Sequence, residues 1–255
     1  MNDTAQTERI NAAIMNIRME LIRYDRNGEK KIELLDRLLR ICAPVIVRSG
    51  GRLTRVGEEG TAAVFEKRAE DALHCAFEIF LRAADAFDDR EQAGLTMGIH
   101  SGTVFLSSVR YQEFSAPLAV SEGLRTARML SQTAAKYNAR ILATGTALGS
   151  IHSFENRFST RKLGLFLHEP REELIFDVFD SDPTDVKYAK RRSRIAFETG
   201  VDLFLQGKYL QARSYFIELL KLDRNDVTAK RYVFMCDKAL SGGAENRELK
   251  YLEIW

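Results

Sequence analysis

Two carboxylates, Glu58 and Glu59, stand side by side between two glycines in the stretch from Gly50 to Glu66, GGRLTRVGEEGTAAVFE. The runs 52–56 and 61–66 on either side carry apolar and β-branched residues. A Gly-bounded polar turn between such runs predicts a β-hairpin, with glycines free to take positive φ. A pair of carboxylates on a hairpin tip is chemistry suited to a divalent cation. A solvated acidic turn explains the same pair from composition alone. His100, beside Ser101-Gly102, has the chemistry of a metal ligand or a general base, although a lone histidine on a strand is more often structural.

The elements around these residues follow from periodicity. In residues 9–24, Ala13, Met15, Ile17, Met19 and Leu21 alternate with Asn16, Arg18 and Glu20, as in a strand with one polar face. Ile10, Ile14, Ile17 and Leu21 also make a helical stripe. The turn residues Asp25-Arg26-Asn27-Gly28 close the segment either way, and a helix beginning soon afterwards favours the strand. That helix, about 31–49, puts Leu34, Leu35, Leu38, Leu39, Cys42, Val45 and Ile46 on one face and stops at Gly50-Gly51, with Pro44 as a bend or a split. After the hairpin comes a second amphipathic helix, about 68–88, with Ala72, Leu73, Ala76, Phe77, Phe80 and Ala84 inward. Residues 95–104 and 105–109 read as a strand pair joined through Ser101-Gly102. A third helix follows over 119–137, then a buried-type strand over 139–144. A closing antiparallel pair, 154–166 and 173–179, turns around His168-Glu169-Pro170-Arg171. Helices inserted in a mainly antiparallel sheet imply an α+β fold.

Beyond Asp182-Pro183 the pattern becomes all-helical, with three helices over 188–240 and no strand signal. Gly200 and Ala212 allow close helix approach, and Gly207 turns the chain. The tail 245–255 holds Leu249, Tyr251, Leu252, Ile254 and the only Trp, and is expected to dock. The expected units are residues 1–183, a helical module at 184–240 and a docking tail at 241–255.

The chain has 255 residues, 45% of them apolar, which suffices for a packed core. A net charge of +2 gives no electrostatic reason for nucleic-acid or membrane binding. The basic run Lys190-Arg191-Arg192 with Arg194 reads as a solvated helix start. The three widely spaced cysteines, Cys42, Cys75 and Cys236, read as buried thiols of a reducing compartment. No apolar run approaches the ~20 residues of a membrane span, so a cytoplasmic protein without membrane insertion is expected.

These stretches resemble the class III nucleotide cyclase homology domain, the adenylate and guanylate cyclase catalytic fold. The family's GG-x-x-x-K-x-x-GD hairpin is similar to Gly50-Gly51 through Gly57-Glu58. Its G-I-H-x-G-x-V strand is matched by Gly98-Ile99-His100-Ser101-Gly102-Thr103-Val104, and its V-N-x-A-x-R helix by Leu124-Arg125-Thr126-Ala127-Arg128-Met129. The resemblance covers about residues 12–180 and implies a ferredoxin-like α+β fold. It also implies head-to-tail pairing, hence a homodimer with sites at the interface.

Family enzymes hold two divalent metals between two aspartates, one ending the first strand and one on the hairpin tip. The metals activate the 3′-hydroxyl and neutralise the triphosphate. Here the resemblance places Arg18 and Glu58 at those positions and Thr54 where the family lysine reads adenine. Arg125 and Met129 fall where an asparagine and an arginine orient ribose and stabilise the transition state, and a one-residue shift gives the arginine role to Arg128. Residues of such a site act as a unit. The departures therefore imply a pseudoenzyme without metal or other cofactor, in which Arg18 and Glu58 form an ion pair across the old metal site. The role expected is regulatory or scaffolding, with an active cyclase or another signalling protein as partner. Two alternatives stand beside it. One is a nucleotide or anion sensor using Arg18, Thr54, Arg55, Arg125 or Arg128. The other is an atypical cyclase keeping one metal through Glu58 or Glu59 and Glu20. The C-terminal helices resemble a tetratricopeptide repeat, with Gly200, Phe204, Tyr209, Ala212 and Phe216 marking an interaction module.

Overall fold

Residues 8–19 form the first strand because their apolar side chains have two faces of helices to meet, and both are filled. The computed structural model describes residues 7–20, 27–111, 113–168, 171–242 and 251. In chain order the elements are β1 (Glu8–Met19), α1 (Gly28–Arg48), β2 (Gly51–Arg55), β3 (Thr61–Phe65), α2 (Ala69–Ala86), α3 (Asp89–Ala93), β4 (Leu95–Tyr111) and β5 (Phe114–Val120). They continue as α4 (Glu122–Ala134), β6 (Ile141–Thr144), α5 (Gly145–Gly149), α6 (Phe154–Arg157), β7 (Thr160–His168), β8 (Arg171–Val178), α7 (Thr184–Leu205), α8 (Tyr209–Leu222) and α9 (Val227–Ser241).

The strands make one sheet of order β2-β3-β1-β4-β6-β8-β7, with β5 paired to the far half of β4. The pairings between these eight strands are antiparallel except β4 with β6. The α+β expectation therefore describes the molecule. On one face, Met15, Ile17, Met97, Ile99 and Val178 pack against Cys42, Val45 and Ile46 of α1 and Leu73, Ala76 and Ile79 of α2. On the other face lie α4 and the C-terminal helices. Among the described residues, no helix is long and apolar enough to cross a membrane.

Several local expectations give way to longer-range pairing. Ser101-Gly102 is not a turn: β4 runs straight through it, because β1 pairs with it continuously from Glu8↔Leu106 to Met19↔Leu95. A twelve-residue ladder outweighs a local turn preference. The third helix starts at Glu122, not 119, since Ala119 and Val120 belong to β5 and Ser121 caps the helix. Pro44 lies inside an unbroken α1, and Phe154–Arg157 is helical, so the closing pair begins at Thr160. Asp25, Arg26, Glu169 and Pro170 lie outside the described residues, as does the tail beyond Gly242 apart from Tyr251. Tyr251 forms a parallel bridge with Leu165 on the outer edge of β7.

The C-terminal helices share a core with the sheet. Leu163 and Phe166 of β7 and Leu130 of α4 lie in one cluster with Phe197, Val201, Phe204, Phe216 and Tyr232. Of the residues expected to mark an interaction module, Gly200, Phe204, Ala212 and Phe216 face inward. Gly200 has no room for a Cβ, which would sit 2.9 Å from the Phe216 ring, and Phe216 stacks on Tyr232 at 4.5 Å between centroids. Phe204, Ala212 and Phe216 are buried, and Tyr209 packs edge-on against Phe204. These residues bind the helices to each other and to the sheet, and Tyr209 stays partly exposed.

Candidate functional site

Gly98 is where the site is set. A Cβ there would lie 2.1 Å from the carbonyl oxygen of Ala127 and 2.6 Å from the amide nitrogen of Ser131. Only glycine lets α4 lie directly on the β4 backbone. The start of α4 is pinned by Ser121, whose Oγ accepts from the Gly123 amide (3.0 Å) and donates to the Thr103 carbonyl (2.7 Å). So fixed, α4 turns Arg125 and Arg128, three residues apart and hence on one face, toward the β2–β3 hairpin.

The hairpin supplies the opposite wall. A register irregularity between Leu53 and Arg55 leaves Thr54 without a cross-strand partner, and Arg55 lines the cleft. At the tip, Gly60 has φ +127, and a Cβ there would meet Asn16 Oδ1 at 2.7 Å and the Ile17 carbonyl at 2.8 Å. Glycine alone allows the hairpin to close on β1. The result is a cleft of about 330 Å³ whose polar lining includes Asn16, Arg55, Glu59, Ser121, Arg125 and Arg128. Glu59 is ion-paired with Arg128 and lies 3.8 Å from Arg55. Asn16 is 3% exposed, and its Oδ1 accepts from the Ser131 hydroxyl at 2.7 Å. Two guanidinium groups, those of Arg55 and Arg128, stand at one carboxylate, and Arg125 lines the same partly open space, an arrangement suited to a multiply charged anion.

Of the residues expected here, Arg55, Arg125 and Arg128 come together and the others do not. Arg18 points to the same side of the sheet as Asn16 but lies outside the cleft lining. It is buried, and its guanidinium is 3.8 Å from Glu20. Glu58 turns the other way, to Lys31 of α1 at 2.8 Å. The Arg18–Glu58 ion pair across the cleft is therefore not formed. Thr54 donates to the Ala62 carbonyl at 3.3 Å and does not line the cleft. Glu20 does not line it either. His100 sits under the first turn of α4, against Gly123, with Nδ1 3.1 Å from Thr144 Oγ1 and 3.6 Å from Glu173. Its partners tie β4 to β6 and β8, a structural place.

Asn16 is the residue the sequence reading missed, and Glu59, not Glu58, is the tip carboxylate that faces the cleft. The usable signal was strand register. Once β1 pairs Ile17 with Thr61 and Asn16 with Ala62, the residue beside the tip is Asn16. A two-cation cage of the cyclase type does not fit these groups. Its strand ligand is a neutral amide whose oxygen is engaged, and its tip carboxylate is held by an arginine. Among the described residues, no cluster of three or more His, Cys, Asp or Glu is arranged to hold a metal.

No family model matches the chain. Among curated proteins, the terminal-differentiation-specific adenylate cyclase of Dictyostelium discoideum is 23% identical over 219 residues, covering 80% of this chain and 10% of that protein. The chain thus spans about a tenth of the length of the curated relative it matches. A bacterial light-regulated adenylyl cyclase superposes with a TM-score of 0.58 at 13% identity, over 75% of this chain and 59% of that one. The adenylyl cyclase CyaB of P. aeruginosa gives 0.56 at 14%, over 69% and 96%. The dimeric guanylyl cyclase domain of the RhoGC fusion protein from the aquatic fungus Blastocladiella emersonii gives 0.54 at 16%, over 69% and 98%. The fold is that of the class III cyclase domains. These likenesses overturn the expectation of a chain that is not an enzyme: what it resembles, in sequence and in fold, are adenylyl and guanylyl cyclases.

Proposed function

We propose that this chain is a cyclase-type domain that takes a nucleoside triphosphate in the cleft between α4 and the β2–β3 hairpin and works on it within a nucleotide-signalling protein. The observation that carries this reading is the convergence of Arg55, Arg125 and Arg128 on one cleft, in a fold shared with adenylyl and guanylyl cyclases. Guanidinium forks match phosphate oxygens in geometry as well as charge. Calorimetric titration of the full chain with ATP and GTP tests it, with cyclic AMP and cyclic GMP formation assayed on the same preparation. Micromolar to millimolar binding of one nucleotide supports the reading. Silence with both nucleotides, at millimolar concentration, would sink it.

The working form is a homodimer. Phe105, Val109, Leu118 and Val120 stand on one face of the β4–β5 ribbon, all exposed, Val120 to 68%. Such a contiguous apolar strip is costly to leave in water. Val120 also lines the cleft, so a second copy seated on the ribbon would close the open side of the nucleotide site. The C-terminal helices act as a buttress behind α4, since their aromatic core continues into Leu130 and Ala134 of that helix.

A further inference from the structure

We infer that the cleft recognises the polyphosphate of its nucleotide without divalent cations, with Arg128 exchanging Glu59 for phosphate. The inference rests on the nucleotide reading of the same cleft and adds how the charge is neutralised. In a metal-dependent site the hairpin carboxylate is free to ligate and the strand residue is a second carboxylate. Here the strand position holds Asn16, uncharged, 3% exposed, with its oxygen taken by Ser131 at 2.7 Å. The tip carboxylate, Glu59, is bound by Arg128 and approached by Arg55 at 3.8 Å. A cation arriving between them would meet guanidinium charge and one engaged anion.

The same groups suit an anion directly. Arg55, Arg125 and Arg128 line the space, and among the described residues that line it Glu59 alone carries a negative charge. Phosphate oxygens compete with the Glu59 carboxylate for the Arg128 fork, because both are bidentate acceptors. Glu59 is thus an internal competitor that holds Arg128 in place until the anion arrives. Glu59 is 57% exposed at its side chain, so the exchange leaves its carboxylate in water instead of stranding it.

The two arrangements give opposite signs for one substitution. Removing the Glu59 charge tightens nucleotide binding if Glu59 competes for Arg128, and abolishes it if Glu59 holds a metal. The experiment is calorimetric titration of the full chain with ATP, GTP and inorganic tripolyphosphate, each in EDTA, in Mg²⁺ and in Mn²⁺, on wild type, Glu59→Gln and Arg128→Ala. Expected affinities in EDTA and in Mg²⁺ agree within about threefold, Glu59→Gln binds more tightly, and Arg128→Ala loses roughly tenfold for want of one charge-assisted contact. Tripolyphosphate binding in EDTA locates the contact on the phosphates. Binding only with a divalent cation, or its loss in Glu59→Gln, overturns the inference while the nucleotide reading stands. No binding by any ligand in any buffer removes the nucleotide reading and this inference with it. Both side chains lie at the surface, and circular dichroism confirms that the variants are folded.

Discussion

Arg18 and Arg128 have the same side chain and opposite circumstances. Arg128 is partly exposed, bonded to Glu59 and aimed into the cleft. Arg18 is 3% exposed, has a carboxylate 3.8 Å away, and its Nε finds no hydrogen-bond partner among the described residues. A buried cation so weakly paired contributes little net stability, and apolar replacement of such groups is often neutral or favourable. Arg18→Met should therefore leave nucleotide affinity unchanged and shift the urea midpoint by no more than about 1 kcal/mol in equivalent stability, in either direction. A large loss of binding in this variant would mean that Arg18 reaches the ligand after all.

At the scale of elements, two contacts hold the site in shape. The first is α4 on β4 at Gly98, where the nearest obstacles to a Cβ are backbone atoms, 2.1 and 2.6 Å away. Backbone cannot swing aside as a side chain can, so Gly98→Ala must lift the helix. Overpacking of this kind costs roughly 1–3 kcal/mol. Because Arg125 and Arg128 ride on α4, nucleotide affinity should fall together with the thermal midpoint. Unchanged affinity in a folded Gly98→Ala variant would show that the cleft does not depend on that contact. The second is the charge network seating α7 against the sheet. Lys190 Nζ reaches Asp182 at 2.6 Å and Asp177 at 2.8 Å, and Arg161 reaches Asp177 at 3.0 Å, with all four residues buried.

Burial, the larger influence, raises the Asp182 carboxyl above its ordinary value, while Lys190 pulls it down. A carboxyl raised in the folded state favours folding below its unfolded value of about 3.9, and that contribution is lost as pH rises through the folded value. Lys190→Met removes the opposing pull, so the folded value climbs further. The variant should be destabilised by about 3–5 kcal/mol near neutral pH, because the buried Asp182 carboxylate loses its ion-pair partner while Asp177 keeps Arg161. Its deficit against wild type should narrow on acidification as the Asp182 carboxyl takes up a proton. Urea titrations at pH 7 and pH 4.5 measure this, and equal deficits at both would rule the account out.

For the whole molecule, the exposed apolar ribbon face is the feature one copy leaves unfinished. Leu118 lies in it, on the same face as Val120 and Phe105 and away from the sheet core. A carboxylate placed there is harmless to a monomer in water and costly in a buried interface. Leu118→Asp should keep the fold and shift sedimentation-equilibrium behaviour from dimer to monomer. It should also weaken nucleotide binding, because Val120 next to it borders the cleft. Dimerisation unaffected by Leu118→Asp would place the interface elsewhere.

Much of this architecture could be read from residue patterns, and the parts that could not have a common cause. Local signals marked the hairpin: Gly50 at φ +75 ends α1, and Gly60 at φ +127 closes the tip, positions that other residues adopt with strain. Helical periodicity marked α1, α2 and the three C-terminal helices, since a 3.6-residue repeat of apolar positions is written in the chain itself. Pairing across the sheet was not written there. β1 is buried on both faces from Ala12 to Met19, so its sequence does not say which polar residue meets the hairpin tip. That was settled by the ladder joining Asn16 to Ala62. The same ladder kept β4 straight through Ser101-Gly102, and a bulge beside Thr54 left Arg55 lining the cleft. Residue types and periods fix what an element is. Which side chains stand together at a site depends on register between strands far apart in the chain, and hydrogen-bonded pairing and packing select that register together.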